Sequence, residues 1–132
     1  MFKTKFRLKG KDINFLIRKR KYFSAKFFGF FYFDQYPNLK FNQISINIPL
    51  KYHKKAVHRV SIKRAILRFL KENGYEKKDI NTRFYKIFIS LNKKNIGELK
   101  NQIERFDKAD TNNYILKQFK NDFLFFLSKI GK

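Results

Sequence analysis

The sequence predicts a single α/β domain of the two-layer α+β type, in which helices pack against one sheet. Three observations support this class. Two segments alternate apolar and polar residues at strand period, and four repeat apolar residues at helical period. No linker, repeat or low-complexity stretch divides the 132 residues, so residues 1–132 are expected to form one domain. Third, an apolar content of 43%, with 18 Phe and 7 Tyr, is sufficient for a core despite the high charge.

The first half of the chain is predicted to contain one helix and two strands. Apolar residues three and four apart indicate a helix over 12–20. The aromatic run over 26–33 is too rich in β-forming residues for a helix, and a turn composition follows it. Strict alternation predicts a second strand over 43–48, which Pro49 ends.

The second half is predicted to contain three helices and one strand. A long central helix over 54–73 ends before Gly74, a residue favoured just beyond helix ends. Alternation predicts a strand over 84–91, and apolar periodicity predicts helices over 94–106 and 111–130. The expected order is therefore α-β-β-α-β-α-α.

The charge of the chain points to a polyanionic partner. The net charge is +22, far more than solubility requires. Residues 1–71 hold 19 Lys and Arg against two Asp, while residues 72–132 hold 13 against eight acids. We therefore expect the N-terminal half to form most of the surface that contacts the polyanion. Without cysteine, disulfides and thiolate metal sites are excluded. We expect a cytoplasmic protein, with an organellar matrix as the alternative.

The central helix opens with a dense basic segment, KKAVHRVSIKR, over 54–64. Residues three or four apart share a helix face, so Arg59 stacks with Lys63 and Arg64 with Arg68. No glutamate relieves this repulsion until the end of the helix, and cations are disfavoured at a helix start. A solvated amphipathic helix is one interpretation. Contact with phosphates explains both penalties more simply.

The same helix also has to contribute to the core. Ala56, Val60 and Leu67 lie near one another on a helical projection, and we expect them to face the interior.

The stretch from Ser45 to Arg64 resembles the signature of the bacterial ribonuclease P protein subunit. That signature is a strand of S-V-S type, then basic residues, then K-A-V-x-R-N-R-x-K-R on a helix. The residues that match in ungapped register are Lys55, Ala56, Val57, Arg59, Lys63 and Arg64. Val60 and Ser61 stand where the family has Asn and Arg, and a segment over 95–109 looks inserted.

The resemblance implies a fold and a role. The fold is similar to the second domain of a small-subunit ribosomal protein, with a left-handed β-α-β crossover through the basic helix, although general rules favour the opposite hand. The family's protein cleaves no bond itself. A catalytic RNA hydrolyses the 5′ leader from precursor tRNA with Mg²⁺, so the protein is a subunit of a ribonucleoprotein endonuclease and binds no cofactor alone.

Two sets of binding residues follow. The set expected to contact RNA is Lys51, Lys54, Lys55, His58, Arg59, Lys63, Arg64 and Arg68. The set expected to hold the single-stranded leader, in the cleft that the resemblance places between the first helix and the sheet, is Phe27, Phe31, Phe33, Ile13 and Ile17. Strand alternation puts the three phenylalanines on one face with Gly29, which leaves room, and aromatic faces in a basic groove can stack bases. The alternative is that both faces are core.

Catalysis by the protein's own side chains is not expected. The basic half offers only Asp12 and Asp34, and metal-dependent nucleases need clustered carboxylates. His53 and His58 lie five residues apart and do not share a helix face. We therefore predict no catalytic or metal-binding residue. The alternatives to a ribonuclease P subunit are a structural ribosomal RNA-binding protein, organellar or not, and a basic protein at anionic membranes.

Overall fold

The computed structural model describes residues 3–49, 56–92, 94–104 and 106–130. A 3₁₀ turn at Thr4–Phe6 precedes the regular elements. The helices are α1 (Gly10–Lys19), α2 (Ala56–Glu72), α3 (Ile96–Ile103) and α4 (Lys108–Ile130), and the strands are β1 (Tyr22–Ser24), β2 (Phe28–Asp34), β3 (Gln43–Asn47) and β4 (Tyr85–Leu91). All seven predicted elements are present, and the short strand β1 is an addition.

The four strands form one mixed sheet in the order β1-β2-β4-β3. β2 pairs antiparallel with both β1 and β4, while β3 pairs parallel with β4. A parallel pair of neighbouring strands requires a crossover, and α2 supplies it. The predicted α+β class and the β3-α2-β4 crossover are therefore confirmed, whereas the hand of that crossover stays a prediction.

The Phe-rich strand β2 divides its side chains between the two faces of the sheet. Phe28 and Phe30 are fully buried against α4: Phe30 stacks on Phe126 at 4.4 Å between ring centroids, and Phe28 meets Phe119 edge-on at 5.1 Å. Phe33 points to the opposite face, where it meets the ring of Phe15 from α1 at 5.2 Å. α1 therefore lies on one face of the sheet, and α4 on the other.

α2 packs on the α4 face through a stripe made by Ile62, Ile66 and Leu70, all fully buried. Leu67 is buried as predicted. The expectation that Ala56 and Val60 face the core is wrong, because both are exposed. α4 covers the other flank of α2, where Asn112 Nδ2 donates a hydrogen bond to Ser61 Oγ at 2.7 Å.

Local signals define the ends of two helices. Gly74 adopts the left-handed conformation (φ 68°) just after α2, and the amides of Gly74 and Tyr75 donate to the carbonyls of Lys71 and Leu70. This is a Schellman arrangement, and it confirms the prediction that the helix ends before Gly74. At the start of α4, Asp107 Oδ1 accepts a hydrogen bond from the Asp110 amide at 2.8 Å, as a helix-capping residue does.

A buried carboxylate fixes the start of β2. Asp122 of α4 is 6% exposed, and its Oδ2 accepts hydrogen bonds from the amides of Phe27 and Phe28 at 2.9 and 3.1 Å. Burial raises the pKa of Asp122, although these amides and Lys26 act in the opposite direction. The contact ties the C-terminal helix to the middle of the sheet across more than 90 residues.

Candidate nucleic-acid interface

The outward face of α2 combines cations with small apolar residues. Arg64 and Arg68 are exposed and lie one helical turn apart. Next to them, Val57 is 65% exposed and Val60 41%. These side chains line an open furrow that Asn112 of α4 bounds on the other side. The furrow is shallow and offers contacts to an extended ligand rather than a closed pocket.

Two further cations of α2 form a second row. Arg59 and Lys63 are half-buried, and they lie about 100° or more around the helix from Arg64. His58 is also half-buried. The predicted RNA-contacting residues on α2 therefore fall into two rows with different exposure. Lys51, Lys54 and Lys55, the rest of the predicted set, lie outside the described residues, as does His53.

The two departures from the resembled motif fall on this same surface. Val60 presents an apolar side chain to solvent where the motif has Asn, and the Ser61 hydroxyl is engaged by Asn112 where the motif has Arg. Positions 60 and 61 themselves therefore offer neither an amide nor a guanidinium to a ligand. Arg64 and Arg68 are exposed on the described part of α2, and Lys71, also exposed, extends their row towards the end of the helix.

On the α1 face of the sheet, a row of aromatic residues crosses three strands. Tyr22, Phe31 and Phe88 stand directly opposite one another on β1, β2 and β4. Their ring centroids are 4.7 Å apart for the first pair and 6.2 Å for the second. Tyr22 is 42% exposed, and burial raises the pKa of its hydroxyl, so the ring stays neutral at physiological pH.

The space that we expected at Gly29 is already occupied. A methyl group there would lie 1.9 Å from the hydroxyl oxygen of Tyr22, because the Tyr22 ring extends over the glycine. Gly29 therefore lets an aromatic side chain of the protein cross the sheet, and it does not leave an open slot.

α1 separates the predicted leader-binding residues into two groups. Asp12 and Phe15 face the sheet on one flank, since Asp12 contacts Lys86 and Phe15 contacts Phe33. Ile13 and Ile17 are each two residues from Phe15, about 200° around the helix, and therefore lie on the opposite flank. Ile17 is 43% exposed and Ile13 half-buried. Phe33 thus belongs to the Phe15 flank and not to that of the two isoleucines.

Phe27 does not present a ring to this surface. It is 1% exposed and forms part of the core, so the prediction that it contacts a leader is wrong for this structure. Its amide and that of Phe28 donate to the same oxygen of Asp122. Consecutive amides in a regular strand point in opposite directions, so the alternation on which the prediction relied begins only after Phe27.

The flank of α1 that carries Phe15 borders a groove that the sequence did not reveal. We call it the Tyr36 groove; its main lining residues are Lys11, Phe15, Arg18, Phe33, Tyr36 and Lys86. Ammonium groups lie over its aromatic rings: Lys19 Nζ is 5.4 Å from the centroid of Phe15, and Lys21 Nζ is 5.3 Å from that of Phe33. Such pairs attract electrostatically and leave a surface that is both aromatic and cationic.

A buried lysine lies at the base of this groove. The side chain of Lys86 is only 4% exposed, and its Nζ lies 3.1 Å from Asp12 Oδ1 and 3.8 Å from the centroid of the Tyr36 ring. Asp12 Oδ2 also accepts a hydrogen bond from the Lys9 amide at the start of α1. The ion pair therefore joins the first turn of α1 to β4.

Within the described ranges, no group of three or more His, Cys, Asp or Glu side chains is placed to hold a metal ion. In the same ranges, no helix has the length and apolar character needed to cross a bilayer.

Comparisons with known proteins identify the fold. No protein-family model and no curated protein matches the sequence. Solved structures do match. A ribonuclease P protein from Thermotoga maritima, in complex with 1-(4-fluorophenyl)-2-thiourea, superposes with a TM-score of 0.57 at 23% identity, over 85% of this chain and 95% of that one. The Staphylococcus aureus ribonuclease P protein superposes with a TM-score of 0.57 at 17% identity, over 89% and 97%.

These matches confirm, at the level of the fold, the resemblance carried by the central motif. They span nearly the whole of the solved proteins but only 85–89% of this chain. The chain thus has the mixed sheet and helices of a bacterial ribonuclease P protein.

Proposed function

We propose that this protein is the RNA-binding subunit of a ribonuclease P, in which a catalytic RNA removes the 5′ leader of precursor tRNA. The single observation that carries the proposal is the fold of ribonuclease P proteins combined with the basic motif at its expected place on α2. In this proposal the protein binds RNA and contributes no catalytic side chain. The Mg²⁺ of the reaction belongs to the RNA.

The outward face of α2 is the surface that we assign to the catalytic RNA. Its arginines neutralise phosphates, and each neutralised phosphate releases condensed counterions. Val57 and Val60 lie exposed next to these cations and can pack against sugar rings, and Val60 does so where the resembled motif has a polar Asn. We therefore expect affinity for this RNA to depend more on charge and shape than on hydrogen bonds.

The leader is assigned to the α1 face, to the flank of Ile13 and Ile17 and to the aromatic row on the same face of the sheet. Ile17 and Tyr22 are both more than 40% exposed there, and Phe31 is half-buried. A single strand is held by stacking on such surfaces together with nearby cations, with little dependence on base identity. The aromatic row supports this assignment, because it ends in the partly exposed ring of Tyr22.

Reconstitution at low magnesium tests the proposal. A bacterial-type ribonuclease P RNA and a 5′-labelled precursor tRNA are combined with the wild-type protein or with Arg64→Ala/Arg68→Ala. The matched control, Lys94→Ala/Lys100→Ala, removes two exposed charges, one just before α3 and one within it. We expect correct 5′ cleavage with the wild type and the control, and a loss of about ten-fold or more with the α2 variant.

A second reading of the same assay addresses the alternative. Tight RNA binding without any gain in 5′ cleavage would contradict the ribonuclease P assignment and favour a structural role on ribosomal RNA. Binding that the α2 variant and the control weaken equally would contradict the assignment of the interface to α2.

A further inference from the structure

The Tyr36 groove has features that core packing does not explain. Tyr36 is 55% exposed in a loop after β2, yet its position is fixed. Its amide donates a hydrogen bond to Gln35 Oε1 at 3.1 Å, and its carbonyl accepts one from the Leu39 amide at 3.0 Å. Gln35 is itself buried and donates to the carbonyl of Phe41. The backbone that carries the exposed ring is therefore held in place.

The Lys86 ammonium occupies one face of this ring. At 3.8 Å from the centroid it is in close cation–π contact, and the side chain that carries it is only 4% exposed. A cation held under an aromatic ring leaves the exposed part of the ring for a second planar partner. Stacking is the interaction that such a fixed ring offers at low entropic cost.

The charges around the ring favour an anion-bearing partner. Lys11 and Arg18 of α1 line the groove and are exposed. The two carboxylates of the groove face cations, since Asp12 pairs with Lys86 and Asp34 lies 4.0 Å from Arg83. A ligand that combines a planar π system with a negative charge matches this arrangement.

We propose that the Tyr36 groove binds an unpaired nucleotide of an RNA strand, with its base stacked on Tyr36 and its phosphate near Lys11 and Arg18. This site is separate from the leader surface, because α1 stands between the groove and the flank of Ile13 and Ile17. This proposal rests on the proposed function in one respect: the proposed function is the reason why RNA is taken as the polymer that supplies the nucleotide. A free nucleotide has the same chemistry, and the experiment below distinguishes the two sources.

Fluorescence of a short single-stranded RNA that carries 2-aminopurine at successive positions tests the site. Affinity and quenching are measured with the wild type, Tyr36→Ala and Tyr36→Phe. The matched control is Phe125→Ala, which removes a 49% exposed ring on the opposite, α4 side of the sheet, where Phe125 packs on Phe23. Because Tyr36 is largely exposed, the alanine variant should melt with the wild type in circular dichroism.

We expect Tyr36→Ala to weaken binding about 5- to 150-fold, the range for one stacked base, and to remove quenching at one position. Tyr36→Phe should retain both, and Phe125→Ala should match the wild type. Equal affinity and quenching for wild type and Tyr36→Ala would refute the proposal, as would an equal loss in Phe125→Ala. Displacement of the RNA by stoichiometric adenosine 5′-monophosphate would assign the groove to free nucleotides instead.

The outcome is independent of the proposed function, because the mixture contains neither catalytic RNA nor precursor tRNA. If the protein fails to support 5′ cleavage but quenches 2-aminopurine through Tyr36, the nucleotide site is supported and the ribonuclease P role is refuted. If the protein supports 5′ cleavage but shows no quenching that depends on Tyr36, the ribonuclease P role is supported and the nucleotide site is refuted.

Discussion

Removal of the buried ion pair between α1 and β4 should destabilise the protein more than the loss of any surface pair. Asp12 and Lys86 are 3.1 Å apart, with side chains only 12% and 4% exposed. Removal of one partner of a buried pair costs about 3–5 kcal/mol, because the other charge stays desolvated. Asp12 keeps its hydrogen bond from the Lys9 amide, so for Lys86→Met we expect the lower part of that range, about 3 kcal/mol.

The double-mutant cycle isolates the coupling within the pair. Asp12→Asn, Lys86→Met and the double variant are unfolded in urea at neutral pH, followed by circular dichroism. The double variant leaves no unpaired charge, so its loss should fall short of the sum of the single losses by about 1.5–3 kcal/mol. Salt should reduce this difference little, because a buried pair is weakly screened.

A second pair on the surface provides the control for this cycle. Lys26 and Glu98 are 3.9 Å apart and about half exposed, so the cycle of Lys26→Met and Glu98→Gln should show a coupling below about 0.5 kcal/mol. Additive losses at Asp12 and Lys86, within about 0.5 kcal/mol, would refute the reasoning. The position of α1 would then have to depend on its apolar contacts alone.

Three further changes test other parts of the structure. Arg64→Ala/Arg68→Ala should lower the slope of log affinity for RNA against log salt by about 1.4–1.8, the value for two phosphate contacts. Asp122→Asn should remove a pH dependence: since burial raises the folded pKa of Asp122, the wild type should gain stability relative to the variant as the pH falls from 7 towards 4. Gly29→Ala should cost about 1–2 kcal/mol because the methyl group displaces the Tyr22 ring, and should cost less in Tyr22→Ala.

Each of these three has an outcome that would count against it. An unchanged salt slope would show that the α2 arginines do not contact phosphates. A stability difference between wild type and Asp122→Asn that is constant with pH would mean that the carboxyl titrates alike in the folded and unfolded chains. Equal costs of Gly29→Ala with and without Tyr22 would place the strain in the backbone of β2.

The elements of the fold were predictable because their signals are local. Alternation over β3 and β4 and the glycine after α2 lie within a few residues of the structure they determine. β1 was missed because three residues carry no period, and the strand exists only through its pairing with β2. The face of α2 that enters the core was partly misjudged, since Val60 and Leu67 differ only in what the rest of the chain places over them.

The candidate interface was predictable where charge lies along one helix, and not where it depends on distant residues. The motif on α2 gave Arg64, and helical spacing placed Arg68 on the same face one turn later. The Tyr36 groove brings together residues 12, 36 and 86, which are so far apart in the sequence that no local helix or strand pattern links them. A lysine at position 86, in a strand that is buried on one face and at most half-exposed on the other, is the one signal that was available. A buried lysine needs a carboxylate partner, and the basic half of the chain contains only two.

The two candidate RNA surfaces lie on opposite faces of the sheet, which has a consequence for assembly. α2 packs with α4 on one face, while α1 lies on the other with the aromatic row and the Tyr36 groove. The sheet and a helix layer on each face separate the two surfaces, so one RNA segment cannot contact both without passing around an edge. A structured RNA on α2 and a single strand on α1 should therefore bind together rather than compete. The sheet then acts as a fixed spacer between them, with α1 held in place by the ion pair to Lys86.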